Sequence, residues 1–481
     1  MPPESLREPH ADLPRTVGFW GAWAIMVGII IGGGIFGTPP DIARHLGSPM
    51  VAMIFWAAGG VLCLFGALAY AELATMFPRS GGIYVFLREA YGDGVAFIFG
   101  WMYLLVTKPA GAAGVAFLFA DHLNRLIGTT PDPARPGSGL SLASGGLDPR
   151  LITIAALLGL TWINVRGVIF STWLAIAFTA AKAAALAAII LLALVVAGIV
   201  DPSKGSVANF RPTQMPMGLM AAIPAVMAGV LWTYDGWNDV GAISGEVTNP
   251  QRTLPRVFVV GILSVTLLYL AINAVYFWLI PLADQRSMET IGPAVLTHLV
   301  GPIGGTIMTA LIVVSTLGSS HASVLANARV CFAQARDGLL FRSLGAIHPR
   351  FNTPHVSLWV GGIMGAAAAW FQGSFVALAG TFVFTMWIFY AMAAGGVIVL
   401  RVRRPALERP YRCPGYPVVP ALFVLAALFM TVISIVQDVS RESVEGEPAP
   451  GMNTLPWLVI LAVGWPVWLV WSRVTRGRSS V

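Results

Sequence analysis

Apolar runs of about 20 residues follow one another along nearly the whole of this chain. A run of this length is what an α-helix needs to cross the hydrocarbon core of a bilayer. Charged residues make up only 11% of the 481 residues, whereas they make up about a quarter of a typical soluble protein. The sequence therefore predicts an all-α polytopic membrane protein rather than a soluble globular one.

The apolar runs predict twelve membrane spans. They cover residues 17–46, 50–71, 92–123, 151–165, 171–200, 218–247, 256–280, 303–332, 356–371, 375–400, 417–437 and 455–472. With the N-terminus placed inside, most of the 29 Lys and Arg residues fall in cytoplasmic segments, so the positive-inside rule predicts that both termini are cytoplasmic. We therefore expect a multi-pass protein of a plasma membrane or bacterial inner membrane. The polar first 16 residues do not resemble a cleavable signal peptide.

The segments between the spans are too short to form a soluble domain. Residues 131–149, rich in Pro, Gly and Ser, and the acidic residues 441–451 are expected to be external loops. Cys63, Cys331 and Cys413 lack the spacing of a metal or redox motif, which favours structural thiols. The net charge of +7 has a membrane explanation and predicts no nucleic-acid partner. No cofactor and no metal site are predicted.

A run of three glycines interrupts the first span. Gly32, Gly33 and Gly34 each destabilise a helix by about 1 kcal/mol relative to alanine, so a continuous helix is unfavourable here. In lipid, an opened helix leaves its amide and carbonyl groups without partners unless it lines a cavity enclosed by protein. The half-helix after the break would present free N–H groups to an anion. A close helix–helix contact through small residues is the alternative interpretation.

A second interruption lies in the sixth span. There an apolar helix meets Asp235, Gly236, Asn238 and Asp239 at about mid-membrane. Polar residues at that depth cost about 2.5–3.5 kcal/mol each on insertion scales, so they should face a cavity. Matching interruptions in two halves of a chain are typical of an inverted-repeat transporter with its site at the midplane.

Lys182 lies deep in the fifth span, within an alanine-rich stretch. Its stem cannot reach either membrane surface, so its ammonium must meet carbonyls, hydroxyls or a carboxylate inside the bundle. We interpret it as functional, with a purely structural ammonium as the alternative. Ser315, Ser319 and Ser323 share one face of the eighth span and are candidate partners. Hydroxyls that bond back to their own helix are the common alternative.

Four further side chains have more than one interpretation. Lys108 precedes a kink-forming proline and is either structural or held in a water-filled vestibule. Trp232, just before the second interruption, is either a gate or core packing, and the case for Trp387 is weaker. Asp235 can attract a substrate amine, pair with a lysine or accept a proton, and the sequence does not rank these roles.

Six stretches of the chain resemble a known family. They are residues 28–36, Thr38-Pro39, Lys108-Pro109, Lys182, residues 234–238 and residues 404–410. The first two are similar to the first-helix signature of the amino acid–polyamine–organocation superfamily, and the others resemble its L-type amino acid transporter branch. The resemblance covers nearly the whole chain. It implies a LeuT-type fold of five-plus-five inverted repeats with discontinuous helices 1 and 6.

The resemblance also implies the domain organisation. Residues 1–16 would form a cytoplasmic tail, and residues 17–400 would form the ten-helix transport core. Within the core, residues 17–200 would be the first repeat and residues 218–400 the second. Residues 401–481 would add two C-terminal membrane helices and a cytoplasmic tail.

Roles for individual residues follow from the same resemblance. Backbone amides of the glycine run would bind a substrate carboxylate, and carbonyls of the second interruption would bind its amine. The substrate-binding residues would be Ile31, Gly32, Gly33, Gly34, Trp232, Thr233, Tyr234 and Asp235. The gate and side-chain pocket would comprise Trp232, Thr107, Gly111 and Trp387. Lys182, with Ser315 and Ser319, would occupy the place of a sodium ion in sodium-coupled relatives.

Three departures from the family pattern bear on function. Gly33 is commonly serine in the family, so a hydroxyl contact to the carboxylate is absent. Asp235 replaces a residue that is often glycine in animal members, which alters amine recognition or adds a titrating group. The external loop 124–150 has no cysteine, so a disulfide-linked heavy subunit is not expected.

The resemblance predicts a sodium-independent amino acid transporter and not an enzyme. Its expected activity is exchange of neutral L-amino acids by alternating access. A proton-coupled amino acid importer that uses Lys182 or Asp235 is the alternative within transport. An amino acid sensor or a channel is the alternative outside it. The preferred substrate side chain stays open.

Overall fold

The computed structural model describes residues 15–127, 147–166, 168–213, 218–440 and 451–478. The expected external loops and the expected N-terminal tail fall almost entirely outside the described residues.

Helices make up most of the described chain. In order they are α1 Phe19–Ile30, α2 Gly34–His45, α3 Pro49–Met76, α4 Ile83–Tyr91, α5 Asp93–Met102, α6 Lys108–Leu126, α7 Pro149–Arg166, α8 Val168–Leu192, α9 Leu219–Tyr234, α10 Pro250–Leu279, α11 Leu282–Gln285, α12 Ile291–Val300, α13 Pro302–Arg336, α14 His355–Gln372, α15 Phe375–Arg403, α16 Val418–Ser440 and α17 Leu455–Arg478. Two π-helical turns, Tyr103–Thr107 and Ala193–Val200, adjoin α6 and α8. A 3₁₀ helix, Trp237–Glu246, follows α9 and is called the 3₁₀ arm below.

Helix starts follow elementary capping chemistry. The Oγ of Ser48 accepts the N–H of Val51 at the start of α3, and Ser374 caps α15 in the same way. Proline occupies the first turn of α3, α10 and α13, where its missing N–H would have had no partner within the helix. Local sequence thus sets many of the boundaries between spans and turns.

The outer surface of the bundle is apolar. Trp20, Ile199 and Phe371 are 72%, 75% and 84% exposed, as side chains that face lipid would be. Among the described residues, nine helical segments are long and apolar enough to cross a membrane, or ten when the bent pair α1–α2 counts as one span. The 18-residue helices α7 and α14 occupy the other two predicted spans. The predicted all-α polytopic fold, with discontinuous first and sixth spans, is confirmed.

The two discontinuous spans lie side by side. The half-helix α2 packs against α9, and α1 packs against the 3₁₀ arm. Helices α8 and α10 pack against α1, and α3 packs against α10 and α9. Helix α6 packs against both α13 and α15. At the C-terminus, α16 packs against α15 and α3, and α17 packs against α5. The broken helices are therefore held inside a frame of continuous ones.

Candidate substrate site

A cavity of about 650 Å³, including its opening, lies between the two discontinuous spans. The first break, Ile31–Gly33, separates α1 from α2, and the two halves are bent by 41°. The second break, Asp235–Gly236, separates α9 from the 3₁₀ arm. The lining residues are Ile29, Ile30, Gly32, Gly33, Gly34, Lys108, Gly111, Val115, Trp232, Thr233, Asp235, Asp239, Ser319, Ala322, Ser323 and Phe382.

The first break directs the N-terminus of α2 at this cavity. The first backbone bonds of α2 run from Phe36 and Gly37 to the carbonyl of Gly33, so the preceding amides come before the intrahelical ladder. A Cβ at Gly34 would lie 2.9 Å from Thr233 Oγ1 and 3.2 Å from its Cα. A Cβ at Gly33 would lie 2.7 Å from Thr316 Cγ2. At Gly34 the backbone of α9 itself leaves no room for a side chain, whereas at Gly33 the close atoms are the ends of side chains.

The second break is built from a glycine turn and polar side chains. Gly236 has φ +102°, a conformation that favours glycine, and a Cβ there would overlap the side chain of Ile29. The hydroxyl of Tyr390 donates to Asp235 Oδ1 at 2.5 Å and accepts a hydrogen bond from the amide of Asn238. One residue of α15 therefore holds the chain on both sides of the turn.

Tyr269 of α10 joins the two breaks. Its hydroxyl lies 3.0 Å from the carbonyl oxygen of Ile30, at the end of α1, and 3.1 Å from that of Thr233, near the end of α9. Both are carbonyls that a helix leaves without an intrahelical donor. A single buried hydroxyl therefore contacts the C-terminal ends of both broken helices, and the two carbonyls share its one proton.

Lys182 lies behind the first break. Its Nζ donates to Ser319 Oγ at 2.5 Å and to the carbonyl of Gly28 at 3.4 Å. The ammonium thus joins α8, α1 and α13, and its positive charge lies near the C-terminal end of the α1 dipole, where a cation is favoured. The Oγ of Ser315 is buried without a hydrogen-bond partner among the described residues, so Ser319 is the serine that bonds Lys182.

A buried ion pair forms one wall of the cavity. The Lys108 Nζ lies 3.2 Å from Asp239 Oδ2 and 3.4 Å from Oδ1. The ammonium also lies 5.6 Å and 5.7 Å from the ring centres of Tyr103 and Phe382, within range of a cation–π interaction. Lys108 therefore pairs with Asp239 and not with Asp235.

Aromatic rings limit the size of the cavity. Trp232 packs edge-on against Phe382 and Phe375, with ring centres 5.3 Å and 5.7 Å away. A Cβ at Gly111 would lie 2.8 Å from Phe382 Cδ2, so no side chain fits there without a shift of the ring. The arrangement leaves room only for a ligand of small or medium size.

Nine of the predicted site residues line the cavity or contact a residue that does, and five lie elsewhere. Gly32, Gly33, Gly34, Gly111, Trp232, Thr233, Asp235 and Ser319 line it, and Lys182 contacts Ser319. Ile31, Thr107, Tyr234, Ser315 and Trp387 are buried but do not line it. Tyr234 donates to the carbonyl of Trp56.

Helix geometry explains why two of the five turn away. The π-helical turn that ends at Thr107 changes the register of the helix, and Thr107 Oγ1 bonds Thr385 Oγ1 at 3.0 Å instead. Trp387 follows Phe382 by five residues, which turns it about 140° around α15. It stacks on Phe423 of α16 at 5.5 Å. Phe382 takes the place in the pocket that the resemblance assigned to Trp387.

Sequence reasoning missed three residues of this site and the partner of a fourth. Tyr269 and Tyr390 are single tyrosines in apolar helices, and Phe382 is one of 25 phenylalanines, so none of them carries a local signal. Asp239 does carry a local signal, because a carboxylate at mid-membrane needs a partner. Lys108 is a deep cation to which the sequence assigns no partner, so the two residues could have been paired.

Comparison with known proteins identifies the family of this chain. The model of a family described as Amino acid permease matches residues 17–464. The chain is 31% identical over 435 residues to the b(0,+)-type amino acid transporter 1 of Mus musculus, which covers 90% of this chain and 85% of that protein. It is also 31% identical over 432 residues to the serine/threonine exchanger SteT of Bacillus subtilis, with 89% and 92% coverage.

A third relative is more distant. The chain is 28% identical over 428 residues to the cystine/glutamate transporter of Pongo abelii, covering 89% of this chain and 81% of that protein. The family match, the long alignments and the helical membrane fold lead to one conclusion. The chain belongs to the amino acid permease family and is a multi-pass membrane transport protein, not an enzyme.

Proposed function

We propose that this protein is a sodium-independent exchanger of neutral L-amino acids that works by alternating access. The observation that carries the proposal is that the N-terminus of α2 and the C-terminus of α9 meet at one cavity. The first presents N–H groups and the second presents carbonyls, which are the partners that a carboxylate and an ammonium need.

In this proposal the backbone of the first break binds the carboxylate of the substrate. Amides of Gly32, Gly33 and Gly34 face it with the positive end of the α2 dipole behind them. The amine binds the carbonyls near Trp232, Thr233 and Asp235. The Trp232 and Thr233 carbonyls each accept one bond from the protein, and each keeps a second lone pair for a ligand.

Lys182 supports the absence of a sodium requirement. Its ammonium is a covalently attached cation that bonds α1 and α13. A protein with a fixed positive charge between these helices does not need a dissolved cation to join them. We propose that this is why transport is independent of sodium.

The cavity favours small or medium side chains. Phe382 occupies the space beside Gly111, and Trp232 packs across the same region. The polar wall formed by Lys108, Asp239 and Ser323 can hydrogen bond a hydroxyl or amide. We therefore propose small neutral amino acids, including hydroxylated ones, as the first substrates to test.

We further propose that the protein acts without a disulfide-linked subunit and with both termini in the cytoplasm. The chain has three cysteines, Cys63, Cys331 and Cys413, and all three are buried. None is therefore available on the surface for a bond to a partner.

Exchange into proteoliposomes tests the proposal. Liposomes loaded with an unlabelled amino acid should take up the labelled one, and replacing sodium by choline should leave the rate unchanged. Liposomes without internal substrate should take up almost none. A sodium requirement, or equal uptake into empty and loaded liposomes, would contradict the proposal.

Proton-coupled import is the second candidate, because two carboxylates, Asp235 and Asp239, line the cavity. A protonatable carboxylate at the site is what coupling to a proton gradient needs. It predicts that an inward proton gradient drives uptake into empty liposomes. The same assay at equal and unequal pH separates the two candidates.

A further inference from the structure

Asp239 lies between two cavities. It lines the substrate cavity and also a second one of about 220 Å³. The second cavity is lined by Gly82, Tyr103, Ala242 and Val330, among others. Gly82 begins α4, and Val330 lies near the end of α13 that the positive-inside rule places in the cytoplasm. The second cavity thus continues the first toward that side.

The Lys108–Asp239 ion pair crosses the boundary between the two cavities. The side chains of Lys108 and Asp239 are only 3% and 9% exposed, although both line the substrate cavity. Replacing a buried ion pair by apolar residues is often neutral or stabilising, so such a pair is weak evidence of a role in stability. Its position makes a role in the pathway the better explanation.

The two residues of the ion pair lie in different kinds of helix. Lys108 begins α6, directly after the π-helical turn Tyr103–Thr107. Asp239 lies in the 3₁₀ arm, which is ten residues long. 3₁₀ runs beyond three or four residues are uncommon because their hydrogen bonds have poor geometry, and such a stretch often marks a hinge.

Hydrogen bonds fix the far end of the 3₁₀ arm to elements other than α6. The carbonyl of Glu246 accepts the N–H of Val17, and the N–H of Thr248 bonds the carbonyl of Val17 at 2.9 Å. Gly81 donates to the carbonyl of Ala242 at 3.2 Å. These contacts, with the 3.3 Å ion pair between Glu246 and Arg329, join the arm to α13 and to segments next to α1 and α4. The Lys108–Asp239 pair, by contrast, joins the arm to α6.

We propose that the Lys108–Asp239 ion pair is an inner gate of the transport pathway. Together the two side chains close the passage from the substrate cavity to the second cavity. Movement of the 3₁₀ arm away from α6 breaks the pair and opens the passage. The ammonium of Lys108 then keeps the rings of Tyr103 and Phe382 as partners, which limits the penalty of the open state. The inference rests on the proposed function for the direction of passage.

Cysteine accessibility tests the gate directly. Ala322 lines the substrate cavity and Val330 lines the second one, and both belong to α13, about 12 Å apart along the helix. Ala322→Cys and Val330→Cys are made separately, with the parent chain as a blank because its own cysteines are buried. A membrane-impermeant thiol reagent is applied to the external face only. With the gate intact, it should label position 322 and spare position 330.

Breaking the pair should remove this protection. In the Val330→Cys chain, Asp239→Asn should raise the external labelling rate about tenfold, and Lys108→Gln should do the same from the other partner. Lys108→Asp with Asp239→Lys restores opposite charges and should restore protection. As a matched control, Glu72→Gln breaks the buried Glu72–Arg401 pair, which lines neither cavity, and should leave position 330 protected.

Equal labelling of position 330 in the parent and in both single variants would overturn the gate. A second result would also overturn the gate: both single variants are labelled, and the charge-exchanged double variant is labelled as well. The pair would then be a packing contact rather than an electrostatic gate. The assay needs no substrate, so its outcome is separate from that of the exchange assay. Monodisperse elution of each variant in gel filtration confirms that it is folded before labelling.

Discussion

The two breaks do the same thing to a membrane helix by different means. The first lies at a run of three consecutive glycines without a charged side chain, and the side chains of Thr233 and Thr316 approach these glycines closely. The second contains one positive-φ glycine, and polar side chains hold its flanks: Asp235 to Tyr390, and Asp239 to Lys108.

This difference separates binding from movement. The first break continues as a regular α-helix, α2, whose N-terminal amides stay in place. The second continues as a 3₁₀ arm held by side-chain contacts that can be exchanged. We infer that the first break is the rigid half of the site and the second is the half that moves.

Lys182→Ala should produce the largest effect. The substitution removes the bonds to Ser319 Oγ and the Gly28 carbonyl and unlinks α1 from α13. Hydrogen bonds from a charged donor contribute about 1.5–3 kcal/mol each, so the exchange rate should fall by about 100-fold or more. Counterflow in proteoliposomes measures it, and near-normal exchange by a correctly folded variant would remove Lys182 from the mechanism.

Alanine scanning of the glycines should show how each break is constrained. Gly236→Ala forces a side chain into a positive-φ conformation and against Ile29, and Gly34→Ala places a methyl against Thr233. Each should destabilise the protein by about 1–3 kcal/mol, visible as a lower Tm.

Gly32 provides the control for that series. A Cβ there would lie 3.6 Å from Ser319 Oγ, an ordinary contact, so Gly32→Ala should change the Tm far less. If all three variants had the same Tm, steric constraint would not explain the glycines.

Tyr269→Phe and Tyr390→Phe should separate the two breaks. The first removes a hydroxyl that serves both breaks, and the second removes one that serves only the second. Loss of a buried hydrogen bond destabilises by about 1–3 kcal/mol, so each should lower exchange about tenfold.

The two tyrosine variants should differ in how they affect substrate. Tyr269→Phe should raise KM because both halves of the site loosen, whereas Tyr390→Phe should act mainly on the maximal rate through the moving half. Identical effects on the two kinetic constants would contradict the division into a rigid and a moving half.

The smallest predicted effect distinguishes two serines on α13. Ser319→Ala removes an acceptor of the Lys182 ammonium and should lower exchange about threefold to tenfold. Ser315→Ala removes a buried hydroxyl without a hydrogen-bond partner among the described residues, so it should leave exchange unchanged or raise stability slightly. A larger loss of exchange in Ser315→Ala than in Ser319→Ala would mean that Lys182 bonds Ser315, one helical turn away, and would contradict the structure.

The sequence was informative where a single residue type is unfavourable inside a membrane helix. Three glycines, a mid-membrane aspartate and a lysine beyond reach of the surface each require a special environment, so Gly32–Gly34, Asp235 and Lys182 could be predicted. The choice between Ser315 and Ser319 could not, because they differ by one helical turn. That choice depends on how far α8 is shifted along α13, which no local pattern encodes.

Residues that reach the breaks from distant helices could not be predicted either, because their positions also depend on how the helices pack. Tyr269 and Tyr390 reach the breaks from α10 and α15, and an isolated tyrosine in an apolar helix is ordinary. Thr107 was misplaced by a π-helical turn, which has no clear sequence signature. Rotation and register of neighbouring helices, rather than residue type, decided these positions.

The central claim is that two opposed helix ends recognise the carboxylate and the amine of an amino acid. Binding of trimmed analogues, which lack one of these two groups, tests it most directly. A thermal-shift panel of the twenty amino acids first identifies the tightest ligand of the purified protein. Its affinity is then compared with those of the same molecule without its carboxylate and without its amine. The account predicts that each trimmed analogue binds about 100-fold more weakly or worse. Binding of either analogue as tightly as the intact amino acid would contradict it.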